Sequence, residues 1–242
     1  MKLPEAFLGG YPKGADFGVR VGSRDGPGRD LFRQYFENAF DPGGDAFKHV
    51  RSLVADAGIN VVAGLIEPVG NTLHCAAATL NREGEIIGWR RKLMPTAMER
   101  IIWGSGDGST LDIAEADIGR VSATICWENY MPLLRMHQYN QGTQIYTAPT
   151  VDDREVWLPS MQMIALEGRC FVVSACQYMT HGDVADNVEY EAIQGDARGT
   201  VLIRGGSCII SPFGEVLTGP FYDETGIVSA EIDLADITRG KF

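Results

Sequence analysis

No run of apolar residues in this 242-residue chain approaches the ~20 that a membrane-spanning helix needs, and its first residues lack a signal-peptide core. These residues therefore supply no helical membrane span. Cysteine is sparse: the five present, an odd number without C-x-x-C spacing, offer neither a disulfide framework nor a zinc pattern, and the cytoplasm is the expected location. The four histidines are scattered at 49, 74, 137 and 181, which leaves a histidine-based triad or a metal site without support. Positive charge is also short, 21 Lys and Arg against 32 Asp and Glu. A formal net charge of -11 argues against nucleic acid or an anionic membrane surface as the natural partner. The string GSGDGS at 104–109 lacks both phosphate-loop and dinucleotide spacing and follows Trp103 without a clear strand, so it reads as a turn.

Apolar material is ample at 45% of residues, enough for a large core in a single domain spanning 1–242. Helical and strand periodicities alternate along it. RDLFRQYFENAF and DAFKHVRSLVADAG have the spacing of amphipathic helices, the second stopped by Gly58, and INVVAGLIE follows as a buried strand. NTLHCAAATL and EIIGWRRK flank a turn at Asn81 to Gly84, predicting a hairpin whose second strand delivers Lys92 to its end. QIYTAP, CFVVSACQ, SCIIS, EVLTG and GIVSAEID read as further strands, with a helix from Pro159 through Leu166 after the first of them.

Cys126, in RVSATICWENYMPLLRMHQ, stands where a strand hands over to a helix. Val121, Ala123 and Ile125 alternate with Ser122, Thr124 and Cys126, so a period of two puts the apolar members on one face and the thiol, last in the strand, on the other. Pro132 then opens a helix that closes at Asn140 and Gly142. A thiol aimed at helix-terminal N–H groups has its thiolate favoured, which lowers its pKa and makes it a nucleophile. On spacing alone a buried free cysteine is the alternative, and that is how Cys75, Cys170, Cys176 and Cys208 read inside their apolar runs. Taken singly, Glu5 reads as a solvated acid, Lys92 as part of the exposed triplet Arg90, Arg91, Lys92, and Glu99 with Arg100 as a surface ion pair.

Three strings in order, LPEAFLGGYPKG at 3–14, RRKLMPTAMERIIWGSGDGS at 90–109 and CWENYMPL at 126–133, change that balance. With APTVDDREVW, ALEGRCFVVSACQ and GGSCIISPFGEVL they resemble the nitrilase branch of the carbon-nitrogen hydrolase superfamily over nearly the whole chain. The resemblance implies an α/β fold, two β-sheets sandwiched between helices in α-β-β-α layers. It implies a catalytic set of Glu5, Lys92 and Cys126, with Glu99 as a second, supporting glutamate. It implies hydrolysis of a small neutral nitrile through a thioimidate and a thioester on Cys126, chemistry that needs no metal or organic cofactor. An amidase or a cyanide-hydrolysing enzyme with the same residues, and a silent partner that only assembles, are the other readings it leaves. Tyr11 and Trp127 beside the motifs are expected to line the pocket; Trp103 and Trp157 read equally as pocket or core.

Related proteins carry a strand and helix before the glutamate motif and a further segment after the position of IDLADITRGKF, one often used in assembly. The chain is therefore expected to lack its first strand and helix, to hold Glu5 loosely, and to form a homo-oligomer when full length.

Overall fold

The computed structural model describes residues 1–184 and 193–242. A short ribbon, β1 (Val19–Arg20) with β2 (Ser23–Arg24), precedes helix α1 (Gly26–Glu37), whose N-terminal Gly28 N–H is capped by Asp25 at 2.7 Å. Helix α2 (Asp45–Ala57) ends where Gly58 turns left-handed at φ 62°. Strands β3 (Val61–Val69), β4 (Thr72–Leu80) and β5 (Ile86–Arg91) then form an antiparallel three-stranded sheet. The larger sheet contains β6 (Ala114–Ala116), β7 (Gly119–Ala123), β8 (Ile145–Thr150), β9 (Phe171–Cys176), β10 (Tyr178–Thr180), β11 (Val201–Ile210) and β12 (Val216–Tyr222). Its order is β10-β11-β9-β8-β7-β6, with β12 along β11. The run β7-β8-β9 is parallel. Helices α3 (Pro132–Asn140) and α4 (Trp157–Gly168) make the two crossovers that parallel pairing requires, and α5 (Ala235–Gly240) lies near the C-terminus.

Strand alternation sorts the apolar side chains into three layers, because successive residues point to opposite faces. Ala63, Leu65, Ala76, Ala78 and Leu80 face outward onto Phe47 and Val54 of α2. Val62, Ile66, Cys75 and Ala77, on the other face of the same strands, meet Val121, Ala123 and Ile145 of the large sheet and Ile125 just beyond β7. Tyr146, Ala148 and Val172 leave that sheet's far side for Trp157, Met161 and Ile164 of α4. Helix, sheet, sheet and helix are thus stacked as the resemblance implied. Complete burial of a side chain such as Phe47 contributes roughly 1.5–3 kcal/mol to holding each layer.

Two elements differ from their sequence expectations. GIVSAEID forms no strand: residues 226–233 join no described sheet, since apolar alternation makes a strand only where a neighbour offers a free ladder. The strand before Cys126 ends at Ala123, three residues early, and Cys126 opens a 3-10 turn, Cys126–Tyr130.

Residues 1–8, expected to be loosely held, run parallel to β3. Leu3 N donates to Val62 O (2.8 Å), Leu8 N to Gly64 O (3.0 Å) and Ile66 N to Leu8 O (3.0 Å). Gly64 makes this close approach possible: a Cβ there would stand 2.0 Å from Pro4 O and 2.9 Å from Glu5 Cα.

Candidate active site

Separate stretches of chain deliver charged side chains to one point between the sheets. Trp89 of β5 turns outward onto Phe47, so Arg90 turns inward. The ladder continues one residue past the strand, where Lys92 N donates to Cys75 O at 2.8 Å, and Lys92 shares the inner face. Its Nζ donates to Glu5 Oε1 and to Glu99 Oε2, both at 2.6 Å, with all three side chains buried. The exposed alternatives for Glu5 and Lys92 are thereby removed. Glu99 lies in a 3-10 turn, Ala97–Ile101, where Oε2 also accepts Thr96 N (2.6 Å) and Oε1 accepts the Tyr11 hydroxyl (2.7 Å). Arg100, its expected surface partner, donates instead to Pro95 O at 2.9 Å. Trp103 lies beside the ammonium, 5.6 Å from ring centroid to Nζ, and packs edge-on against Tyr11.

Cys126 reaches this group by a backbone turn that alternation does not foresee. Continued pleating would have placed it with Ser122 and Thr124, away from Glu5. Its φ of 50° swings it instead into the inner apolar cluster with Val121, Ala123 and Ile125. A left-handed non-glycine residue costs roughly 1–2 kcal/mol, so the turn must be held by its surroundings. Asn129 Nδ2 supplies part of the hold, donating to Thr124 O (2.9 Å) and Cys126 O (2.7 Å). Ala6 and Ala97, next to Glu5 and just before Glu99, are also left-handed, at 49° and 47°. Backbone strain thus recurs where the three acidic and thiol groups converge.

The electrostatics correct the expectation of a preformed thiolate. Burial pushes the Cys126 thiol well above the ordinary range and the Glu5 carboxylate adds to that, outweighing Lys92 and a hydrogen bond with Thr150. No long helix compensates, because α3 begins six residues further on. Burial likewise raises Glu5, while Lys92 lowers it and Glu99 raises it; the Cys126 thiol is near enough to bias the same carboxyl by hydrogen bonding. Burial opposes charge on Lys92, yet Glu5, the two thiols and Glu99 together hold its ammonium above the usual range. One ammonium between two carboxylates leaves a buried charge of about −1, and a thiolate would make it about −2. Moving the Cys126 proton to Glu5 avoids that increment, because the total charge of the group does not change. The arrangement can therefore pass a proton from the thiol to Glu5 without adding buried charge.

Cys75 is buried as its apolar run implied, and its Sγ also lies 3.6 Å from Glu5 Oε1; the residues that the sequence reading passed over are Thr150, Asn129 and Glu128. Glu128 had a legible sign, an acid at the third position of a turn, since its Oε2 caps Ile125 N at 2.9 Å. Trp157 belongs to the core under α4, its indole N–H donating to Ser174 Oγ at 2.8 Å. Trp127, next to Cys126 in the chain, is 40% exposed. Among the described residues no cluster of His, Cys, Asp or Glu is arranged to hold a metal ion, and no helix is long and apolar enough to cross a membrane.

The family model for carbon-nitrogen hydrolases matches residues 1–242. The chain belongs to the carbon-nitrogen hydrolase family. It is 52% identical over 240 residues to nitrilase blr3397 of Bradyrhizobium diazoefficiens, an alignment covering 99% of this chain and 74% of that protein. It is 47% identical over 251 residues to an arylacetonitrilase of Trametes versicolor, covering 99% and 78%. In structure it resembles a carbon-nitrogen hydrolase from Helicobacter pylori, with a TM-score of 0.74 at 19% identity over 99% of this chain and 79% of that one.

In this carbon-nitrogen hydrolase Tyr11 walls two cavities. One, of about 660 Å³, is lined by apolar and aromatic groups including Phe17, Leu31, Tyr35, Phe40 and Met179. The other, of about 370 Å³, includes Met98, Glu99 and Ile102. Tyr11 is itself a fixed donor, since burial and then the charges of Glu99 and Glu5 raise its phenol far above any working pH.

Glu99→Gln tests the electrostatics with a definite sign. Glu99 raises the pKa of Glu5, so neutralising it lowers that pKa. If Glu5 acts as the base, its action is lost as pH falls through its raised pKa, and the acid limb of kcat/KM is expected to move to lower pH in the variant. The maximum is expected to fall about tenfold to hundredfold, because Lys92 loses one of the two carboxylates that orient it. A pH–rate series on both proteins measures each effect.

Proposed function

We propose that this protein hydrolyses a small neutral organic nitrile to its carboxylic acid and ammonia, with Cys126 as nucleophile, Glu5 as proton carrier and Lys92 as the cation for developing charge. Glu99, with Tyr11, holds Lys92 in place. The observation that carries the reading is the convergence of Glu5, Lys92 and Cys126 in a chain whose relatives at 52% and 47% identity are named as nitrilases. The sulfur adds to the nitrile carbon as its proton passes to Glu5, and Glu5 hands that proton on to the nitrogen, giving a thioimidate and a free carboxylate. Glu5 then takes a proton from water as its oxygen adds to the same carbon, and passes it and then the remaining hydroxyl proton to the nitrogen. Collapse expels the nitrogen as ammonia and leaves a thioester, and a second water, activated in the same way, releases the acid and restores the thiol. Lys92, buried beside Glu5, meets charge on nitrogen or oxygen in a medium where an ammonium is worth far more than in water. The apolar cavity behind Tyr11 suits the organic group of an arylaliphatic nitrile. A cytoplasmic setting accords with five free cysteines, and a homo-oligomer is what the family resemblance implies.

The test is a panel of aliphatic, aromatic and arylaliphatic nitriles, their amides and cyanide, assayed for ammonia and acid. Faster release from organic nitriles is the expected result; preference for the amides, or for cyanide alone, would replace this reading with one of those activities.

A further inference from the structure

Glu128 lies two residues beyond the nucleophile, and its buried carboxylate joins the segments that carry Cys126 and Lys92. Oε2 accepts the N–H of Ile125 (2.9 Å), the residue before Cys126. Oε1 accepts the N–H of Leu93, the residue after Lys92, and Nη2 of Arg90 at 2.8 Å. Arg90 shares the inward face of Lys92 and is itself buried, and its Nη1 also donates to the carbonyl of Arg91. A cap that served only the local turn would end at Ile125 N. This one spans 35 residues of sequence to the segment just past β5, and it is there that the left-handed Cys126 must be set against Glu5 and Lys92.

We infer that Glu128, anchored by Arg90, is a positioning residue that fixes the Cys126 thiol relative to the Glu5–Lys92 pair. Three donors meet its two oxygens, and an amide nitrogen in place of either oxygen would face a donor it cannot accept. Buried carboxylates in such networks are costly to neutralise, so the effect on geometry must be read apart from stability.

Glu128→Gln and Glu128→Asp provide the test, with two readouts on the folded protein at temperatures below its transition. The first, which rests on the nitrile reading, is kcat and KM with phenylacetonitrile. For Gln we expect kcat to fall about hundredfold with KM within about threefold, since a displacement on the order of 1 Å costs that much in rate. The second is independent of substrate: the rate of Cys126 alkylation by iodoacetamide across pH, read by peptide mapping. Wild type is expected to show an inflection from Glu5 acting on the thiol, and Glu128→Gln to lose it, with a rate about tenfold lower at neutral pH. A purely structural role would lower Tm and leave that inflection in place. Should the Gln variant fail to fold, Asp retains the charge facing Arg90 but is one methylene too short to reach both N–H groups, and the same changes are expected at smaller size. Folded variants with the wild-type kcat and alkylation profile would overturn the inference. If wild type turns over no nitrile, the nitrile reading falls while the alkylation profiles still decide the role of Glu128.

Discussion

Cys126→Ala is expected to bring nitrile hydrolysis below about 10⁻⁴ of the wild-type rate, the scale on which loss of a nucleophile acting in concert with its base is felt. Stability should change little. Sulfur removal from a small buried site costs about 1 kcal/mol, or roughly 2–4 °C in Tm for a domain of this size, and the φ of 50° is no worse for Ala than for Cys. Cys126→Ser is expected to retain a trace of activity, about a thousandth or less, because a hydroxyl is harder to deprotonate and far less nucleophilic than a thiolate. Melting curves alongside ammonia release separate the chemical effect from the structural one. Native turnover in Cys126→Ala would remove the thiol from the mechanism.

The second large effect is expected at Lys92, and there activity and stability should fall together. Lys92→Met keeps the length of the buried stem and deletes the ammonium that bonds Glu5 and Glu99 at 2.6 Å. Two buried carboxylates are then left facing one another, and breaking a buried pair in this way costs about 3–5 kcal/mol. At roughly 2–4 °C per kcal/mol that is a Tm loss of about 10 °C. The loss should depend on pH with a definite sign. Lys92 lowers the pKa of Glu5, so its removal raises that pKa further, and protonation of the carboxyls at lower pH relieves their repulsion. The Tm difference between wild type and variant is therefore largest above the raised Glu5 pKa and narrows as pH falls through it. Turnover is expected to drop about a thousandfold or more, since the cation facing the developing charge is gone. A Tm difference that stayed flat with pH would mean that the carboxyls are not charged where the geometry places them.

Much of this site was legible from local rules. Gly58 stops α2, the turn at Asn81 to Gly84 closes the hairpin, and the strand after it brings Lys92 to an element end, all through short-range backbone chemistry. The order of the Glu, Lys and Cys motifs named the chemistry. What could not be read from them depends on contacts between distant segments. Alternation points Cys126 away from Glu5, and only the left-handed turn, held by Asn129 and Glu128 from within and by Arg90 of β5 and Leu93 just past it, brings it back. The expectation of a lowered thiol pKa failed for a related reason. It counted the helix that follows and could not count the complete burial of the thiol beside a carboxylate. Tyr11 was visible as an aromatic beside a motif, yet its bond to Glu99 lies across 88 residues. GIVSAEID has the pattern of a strand, yet it pairs with none of the described strands.

Rapid acid quench during the first turnover of phenylacetonitrile, followed by intact-mass and peptide-level mass spectrometry, tests the central claim most directly. We expect a transient adduct with the mass of a phenylacetyl thioester, preceded by its thioimidate, on the peptide containing Cys126 and on no peptide containing Cys75, Cys170, Cys176 or Cys208. Acid and ammonia formed through the first turnover with no adduct at any time, or an adduct on another residue, would contradict covalent catalysis by Cys126.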